Sequence, residues 1–337
     1  MTAHSFLIRR KRTFAFLLCA CGLFVAIPAF AYLFMFTRTS SGAAKPDHWD
    51  LNAFPVTYSV NPAVGSNFSG GGDPAQIITD SFNTWASAPN TSLRISRASN
   101  SSLRKTGFDG VNLICFVCSD QSSFGGSTDT LAVTITTTAD KPGETTKHGS
   151  GSTMAGQILD ADIEFNPDVQ WSTGSSVSGD QQHLQTVATH EIGHFFGLDH
   201  SAVVRSVMFP YAPDLSTTLT YDDVAGISQL YPKSSPDVPT GSISGTISFS
   251  SGGGVFGAHV FADSTSSRTP YGPGVRKSPI GTLSRTDGSY TINGLPADTY
   301  TVTAEPLDKP EINDDVSGYA SAFARSSAQT SFNTRWH

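Results

Sequence analysis

The stretch HEIGHFFGLDH, residues 190–200, places three histidines and one glutamate within eleven residues. If this stretch is helical, His190 and His194 lie one turn apart on the same face. Two imidazoles at that spacing can bind one zinc ion, whose bonds to histidine nitrogen are about 2.0 to 2.1 Å long. Glu191 is angled toward the same site, where it can hold a metal-bound water and take its proton. The stretch therefore predicts a zinc site with a catalytic base.

Gly197 decides whether a third ligand reaches that metal. Glycine can adopt a positive φ and end a helix abruptly, so the chain can turn back and bring His200 to the same ion. Three protein ligands leave one position open for water, which is the catalytic arrangement of zinc. The alternative is a solvated helix whose histidines occur by chance. It is disfavoured because the pattern H-E-x-x-H-x-x-G-x-x-H fixes five positions at once. His183, earlier on the same predicted helix, is expected to be a surface histidine.

The N-terminus has the pattern of an export segment. Basic residues 9–12 precede an uncharged apolar run over residues 14–36, which contains an A-x-A-like site ending at Ala31. Residues 1–36 are therefore interpreted as a signal peptide cut after Ala31 or as an uncut membrane anchor, and residues 37–47 as a spacer. Both interpretations place the rest of the chain outside the cytoplasm, secreted or anchored at the cell surface.

Charge and cysteine usage narrow the function classes. The net charge of -7 argues against nucleic acid as a partner. Beyond the export segment, Cys115 and Cys118 are the remaining cysteines. A C-x-x-C pair is found in redox motifs and zinc sites, but in an oxidising compartment a local disulfide is the favoured interpretation.

The periodicity along the chain predicts an α+β domain followed by an all-β one. Residues 54–61 have strand composition, and residues 73–87 fit a helix with Asp73 as its N-cap. Two later helices are predicted over residues 180–196 and 221–231. The remaining segments are a linker over residues 233–240, a small β-sandwich over residues 241–305 and a tail over residues 306–337 without a recognisable pattern.

Residues 158–166, ILDADIEFN, alternate apolar and acidic side chains as a strand does. The acidic face carries Asp160, Asp162 and Glu164. Carboxylate oxygens in this arrangement could bind calcium. A solvated acidic face is the alternative.

The histidine motif resembles that of the metzincin metalloproteases, in which it is followed by a methionine turn. That turn is present as SVMFPY, residues 206–211, with Met208 eight residues after His200. The resemblance implies that Met208 forms an apolar floor under the zinc ligands.

Within the metzincins, the chain is most similar to the matrixins. Ser201 directly follows the third histidine, and Pro210 stands where astacins and serralysins carry a metal-reaching tyrosine. LTYDDVAGISQLY, residues 219–231, resembles the closing helix of matrixins. The resemblance covers residues 48–232 and implies a metzincin catalytic domain, with a twisted mixed sheet and three helices. The chain departs from the family at Asp162, which stands where a matrixin histidine would bind a structural zinc. One zinc ion, the catalytic one, is therefore expected.

This resemblance implies an exported zinc endopeptidase that hydrolyses extracellular proteins. An extended peptide substrate would pair with a sheet edge around residues 131–133, and residues 206–211 would wall the adjacent pocket. The chain is expected to be monomeric, with membrane contact only through an N-terminal anchor. The alternative is a surface binding protein on an inactive metzincin scaffold, and the intact motif counts against it.

Residues 241–305 resemble the carboxypeptidase-regulatory-like, transthyretin-like β-sandwich. The likeness lies in the turn at Asp287, Gly288 and Tyr290, in residues 294–296 and in Tyr300. No residue in this module has the pattern of a catalytic group. It is predicted to be either a substrate- or surface-binding module or a spacer.

Overall fold

The computed structural model describes residues 32–120, 122–145, 151–211, 215–307, 317–323 and 327–336. The predicted export segment lies outside these residues, apart from its last five. Within the described part of the chain, no helix is both long and apolar enough to cross a bilayer.

The first domain carries the strands β1 (Phe36–Arg38), β2 (Ala44–Pro46), β3 (Val56–Asn61), β4 (Phe68–Ser69), β5 (Ile95–Arg97), β6 (Leu113–Cys115), β7 (Ala132–Thr138), β8 (Ile158–Phe165), β9 (Trp171–Ser172) and β10 (Gln182–His183). Its helices are α1 (Pro74–Ala86), α2 (Leu184–Phe195) and α3 (Tyr221–Leu230). The C-terminal region carries β11 (Thr240–Thr246), β12 (His259–Ser264), β13 (Ile280–Leu283), β14 (Ser289–Pro296), β15 (Tyr300–Glu305), helix α4 (Ser317–Phe323) and β16 (Arg335–Trp336).

A five-stranded mixed sheet organises the first domain, in the order β5-β3-β6-β8-β7. Its strands run parallel except β7, which is antiparallel to β8 and lies at the edge. Helices α1 and α2 pack against each other, with Phe82, Trp85 and Phe195 fully buried. The mixed sheet and helices confirm the predicted fold class. The edge position of β7 leaves a strand open beside the histidine helix.

Helix α1 begins as predicted, with the Asp73 side chain accepting a hydrogen bond from the Ala75 amide. Helix α2 begins later than predicted, at Leu184, because Gln182 and His183 pair in parallel with β9 instead. The His183 imidazole then caps the helix by accepting from the Thr186 amide. His183 is therefore a half-buried capping residue and not a surface histidine.

The segment before residue 48 differs from the sequence interpretation. Tyr32 and Phe34 are buried at 2% and 0% exposure. Phe34 pairs with Leu198, and the Met35 amide donates to the Gly197 carbonyl at 3.0 Å. Strands β1 and β2 then pair with each other, in a segment predicted to be a spacer. The apolar run at the N-terminus therefore continues into the folded domain, because its last residues pack into the core.

The C-terminal region is β-rich, as expected. Strands β11 and β14 form one antiparallel sheet, and the order β13-β12-β15-β16 forms the other. Helix α4 and β16 lie in the tail for which no pattern was recognised, and Phe323 of α4 packs edge-on against Phe36. The resemblance to carboxypeptidase-regulatory-like modules stays a prediction.

The two regions are packed together. Buried residues from both belong to one apolar cluster, which includes Val224 of α3 and Ile292 of β14. Asn90 holds the linker, since its side chain exchanges hydrogen bonds with both backbone groups of Val238. The β-rich region therefore has a fixed position against helix α3.

Candidate metal centre

The three motif histidines converge. The nearest ring nitrogens of His190, His194 and His200 all lie within 4.8 Å of one another. The Nε2 atoms of His190 and His194 are 3.1 Å apart. Two ligands on a tetrahedral zinc with bonds of about 2.0 to 2.1 Å lie roughly 3.3 Å apart, so this spacing suits zinc.

Backbone carbonyls orient the first two rings. His190 Nδ1 lies 2.7 Å from the Val207 carbonyl oxygen, and His194 Nδ1 lies 2.8 Å from that of Leu198. Because a carbonyl oxygen only accepts, each Nδ1 carries the proton and each Nε2 keeps its lone pair for a metal. Burial lowers the pKa of both histidines, which favours the neutral imidazole that a metal requires.

Gly197 makes the turn that delivers the third ligand. Its φ is 93°, and a Cβ atom there would overlap the Asp47 carbonyl oxygen. The helix ends at Phe195, and the Gly197 amide donates to the His194 carbonyl at 2.8 Å. A side chain at position 197 would therefore displace the chain that leads to His200.

Glu191 lies beside the histidines and is held by Thr134 of the edge strand. The Thr134 hydroxyl donates to the Glu191 carboxylate at 2.7 Å, and the glutamate is 6% exposed. Burial raises the pKa of Glu191 to about 7, while the hydrogen bond from Thr134 opposes that shift. Thr134 was not among the predicted site residues, because an edge-strand threonine has no sequence pattern that sets it apart.

Met208 packs directly beneath the histidine helix. It is fully buried, and a Cβ atom on Gly193 would overlap its sulfur and crowd Trp85. Gly193 therefore allows the close approach of the methionine turn. Sequence reasoning missed Gly193, although a glycine inside a helix pattern often marks close packing.

The start of helix α3 holds both turns that follow α2. Asp223 accepts hydrogen bonds from the Val207 amide at 3.0 Å and the Met208 amide at 3.3 Å. Asp222 accepts from the Ser201 hydroxyl, next to the third ligand. Burial, with the negative charge of Asp223 beside it, raises the pKa of Asp222 to about 8. These two carboxyl groups were noted in the sequence only as part of a helix pattern.

An open cleft of about 690 Å³ contains the histidines and Glu191. Residues of strand β7 line it, as do Val207, Phe209 and Pro210. The structure thus brings the predicted sheet edge and the predicted wall to the same cleft as the three histidines.

A comparison with known families identifies this arrangement. The family model for matrixins (peptidase M10) matches residues 48–232, which is more than half of the chain. The chain belongs to the matrixin family. Among curated matrixin relatives it is 44% identical to rat matrilysin over 97 residues, which cover 28% of this chain and 34% of that protein.

Two further relatives extend the likeness. Mouse stromelysin-1 is 40% identical over 101 residues, covering 27% of this chain and 20% of that protein. Karilysin of Tannerella forsythia is 38% identical over 69 residues, covering 20% of this chain and 14% of that protein. This matrixin spans about a third of the length of the rat matrilysin it matches.

The acidic face of this matrixin's strand β8 differs from the solvated face that was one of the two expectations. Asp160, Asp162 and Glu164 are buried, with 1%, 1% and 2% exposure, so the face is not solvated. Asp162 accepts hydrogen bonds from the amides of Gly107 and Leu113, both at 2.7 Å.

The neighbouring carboxyl groups are engaged in the same way. Asp160 accepts from the Gly110 amide at 2.6 Å, and Glu164 accepts from the Thr106 hydroxyl. These carboxylates thus hold the loop over residues 104–113, and calcium binding by them stays a prediction. Burial raises the pKa of Asp162 to about 7. Among the described residues, the three motif histidines form the one cluster suited to a metal ion.

Cys115 and Cys118 are joined by a disulfide at the end of β6. Both are buried, at 0% and 6% exposure. The pair is therefore neither half of a zinc site nor a dithiol in this structure.

Proposed function

We propose that this matrixin is an exported zinc endopeptidase that hydrolyses peptide bonds of extracellular proteins. The observation that carries the proposal is the convergence of three histidine nitrogens beside a buried glutamate in an open cleft. Three neutral imidazoles are a donor set that zinc prefers, and they leave a coordination position open.

His190, His194 and His200 would hold the ion. Bound zinc supplies Lewis acidity, which polarises a carbonyl group and lowers the pKa of water. Glu191 acts as the general base: its carboxylate takes a proton from the attacking water as the oxygen bonds to the peptide carbon. When the carbon–nitrogen bond breaks, the protonated Glu191 gives that proton to the leaving amine. Thr134 keeps the carboxylate in place through its hydrogen bond.

The substrate would be an extended polypeptide. Strand β7 pairs with β8 on one side and is an edge of the sheet, so its other side offers backbone groups to an added strand. The cleft is also lined by the apolar residues Val207 and Phe209, which favours an apolar substrate side chain next to the cleaved bond.

Export is supported by two independent features. The N-terminal sequence joins a basic segment to an apolar run with a small-residue site at Ala31. The disulfide between Cys115 and Cys118 is typical of proteins that fold in oxidising compartments.

The test is hydrolysis of a mixed peptide library by the zinc-loaded full chain, beside the variant Glu191→Gln. We expect the parent to cleave and the variant to be slower by about 10²- to 10⁴-fold, because it lacks the general base. Both proteins should bind zinc, since Glu191 is not one of the ligands.

Glu164→Gln is the matched control, because Glu164 is also a buried glutamate but lies outside the cleft. It should cleave like the parent. Equal turnover by Glu191→Gln and the parent would contradict the mechanism. No turnover by a zinc-loaded parent would contradict the endopeptidase proposal and favour a binding protein on an inactive scaffold.

A further inference from the structure

One residue that lines the cleft comes from the β-sandwich. Arg276 lies between β12 and β13, yet it borders the same cavity as the motif histidines. The sandwich therefore reaches the active-site cleft, and its contact there involves a charged, half-buried side chain.

Arg276 is bonded to the two ends of one loop. Its Nε donates to the Thr218 carbonyl at 3.1 Å, and its Nη2 donates to the Arg205 carbonyl at 2.9 Å. The guanidinium group is suited to this task, because its planar fork presents several N–H donors in fixed directions. Hydrogen bonds with a charged donor are also stronger than those between neutral groups.

The main chain of Arg276 reinforces the attachment. Its amide donates to the Leu219 carbonyl at 2.8 Å, and its carbonyl accepts from the Tyr221 amide at 3.0 Å. Residue 276 is thus paired with the strand-like segment that leads into helix α3. Its position does not depend on the side chain.

Described residues between those two ends form part of the cleft wall. Phe209, Pro210, Tyr211 and Ser216 all line the cavity and all lie between Arg205 and Thr218. Asp223 anchors the beginning of this loop at Val207 and Met208. The side chain of Arg276 draws its start and its end together, which limits how far the wall can move from the metal centre.

The platform that carries Arg276 is itself rigidly docked. The Gly281 amide donates to Asp222 at 2.9 Å, and Tyr271 packs edge-on against Tyr221 with ring centroids 5.0 Å apart. Gly294 lies so close to Ala225 of helix α3 that a Cβ atom there would overlap it. Because the sandwich is held against helix α3, its Arg276 can keep the cleft wall in a fixed position.

We propose that the β-sandwich is part of the substrate-recognition apparatus, with Arg276 as a positioning residue that holds the cleft wall and so determines which side chain fits beside the cleaved bond. This inference rests on the proposed endopeptidase function. It makes the C-terminal module neither a spacer nor a separate binding domain. The peptides it favours are those whose apolar side chain fills the pocket against Phe209 and Pro210.

The test compares the zinc-loaded full chain with Arg276→Ala, Arg276→Lys and the control Arg268→Ala. Arg268 is an exposed arginine of the same module and lies outside the cleft. Two peptide substrates are used that differ only in the residue after the cleaved bond, leucine or alanine. Amide hydrogen exchange of residues 206–211 and 215–219 is measured on the same samples.

We expect Arg276→Ala to lower the leucine-over-alanine preference by about fivefold or more, because a looser wall loses contacts with the larger side chain. The loss should lie in KM, with kcat within about twofold, since the change affects binding and not the reacting groups. Wall amides should exchange faster in Arg276→Ala. Arg276→Lys should recover part of both effects, and Arg268→Ala should match the parent.

A parent-like preference together with parent-like exchange in Arg276→Ala would overturn the inference. Equal losses of kcat on both peptides, with a lowered melting midpoint, would also overturn it, because they indicate a general structural role. A parent that cleaves neither peptide would instead contradict the endopeptidase function. In that case the exchange of the wall amides still decides whether Arg276 holds the loop.

Discussion

Two clusters of potential metal ligands lie on neighbouring elements of this matrixin, and they face different partners. On helix α2 and the following turn, histidine nitrogens face one another. On strand β8, three carboxylates face the loop over residues 104–113 and accept its hydrogen bonds. Ligand type and spacing therefore indicate which side chains share a face, whereas the segment opposite decides which partners that face meets.

The difference follows from the partner that each cluster meets. Backbone carbonyls take the Nδ1 protons of His190 and His194, which leaves lone pairs pointing at a common centre. Backbone amides donate to both oxygens of Asp162, one hydrogen bond to each. The acidic cluster thus holds a loop through hydrogen bonds donated by that loop.

Metal removal should give the largest effect and separate the two clusters. Treatment with a chelator should lower peptide hydrolysis by at least about a thousandfold, because the metal contributes several kcal/mol to the reaction. Zinc should restore activity and calcium should not. Restoration by calcium alone, measured as the initial rate, would show that the acidic cluster or another oxygen site supplies the functional ion.

Breaking the acidic cluster should cost stability and leave zinc binding intact. Asp162→Ala removes the acceptor for the buried Leu113 amide and the part-buried Gly107 hydrogen bond, so we expect a loss of about 2 to 5 kcal/mol in the free energy of unfolding. Urea denaturation measures it, with the exposed residue Asp168 changed to alanine as the control. A loss below about 0.5 kcal/mol for Asp162→Ala would refute the holding role.

The acidic cluster should also make stability depend on pH. Burial raises the pKa of Asp162 to about 7 in the folded state, from the ordinary value of 3.8, so the folded state binds more protons between these limits. Stability should therefore fall as pH rises from about 4 to about 7. Asp162→Asn should reduce the loss of stability over this pH range by roughly 1 to 4 kcal/mol. Parallel curves for parent and variant, from urea midpoints across that range, would contradict the assignment.

The smallest expected effect concerns the positioning of Glu191. Thr134→Val removes the hydrogen bond to the carboxylate at constant side-chain shape, so we expect kcat to fall by about 3- to 30-fold with zinc binding unchanged. Thr136→Val, on the same strand, is the control. If both variants have the kcat of the parent, Thr134 has no positioning role.

Much of the fold was predictable from local patterns. Helix α1, with its Asp73 cap and its buried stripe, follows from residue type and periodicity alone. The start of α2 was not predictable in this way. It depends on the long-range pairing of β10 with β9 and on the cap that the His183 side chain provides. The buried position of Tyr32 and Phe34 was also not predictable. An apolar run has the same composition in an export segment and in a core strand.

The convergence of the motif histidines was predictable because they are close in sequence, and the groups that hold the site in place were not. His190, Glu191 and His194 share one helix, so their geometry is set by the helix itself. Thr134 comes from a distant strand, and Arg276 comes from another region of the chain. Their roles depend on how the sheet edge and the C-terminal β-rich region meet the cleft, which no local pattern encodes.

The most direct test of the account is the zinc stoichiometry of the full chain by native mass spectrometry, beside His200→Ala and Asp162→Ala. The account predicts one zinc ion in the parent and one in Asp162→Ala, with weakened binding in His200→Ala. A second ion in the parent that disappears in Asp162→Ala would contradict the account, as would undiminished zinc binding by His200→Ala.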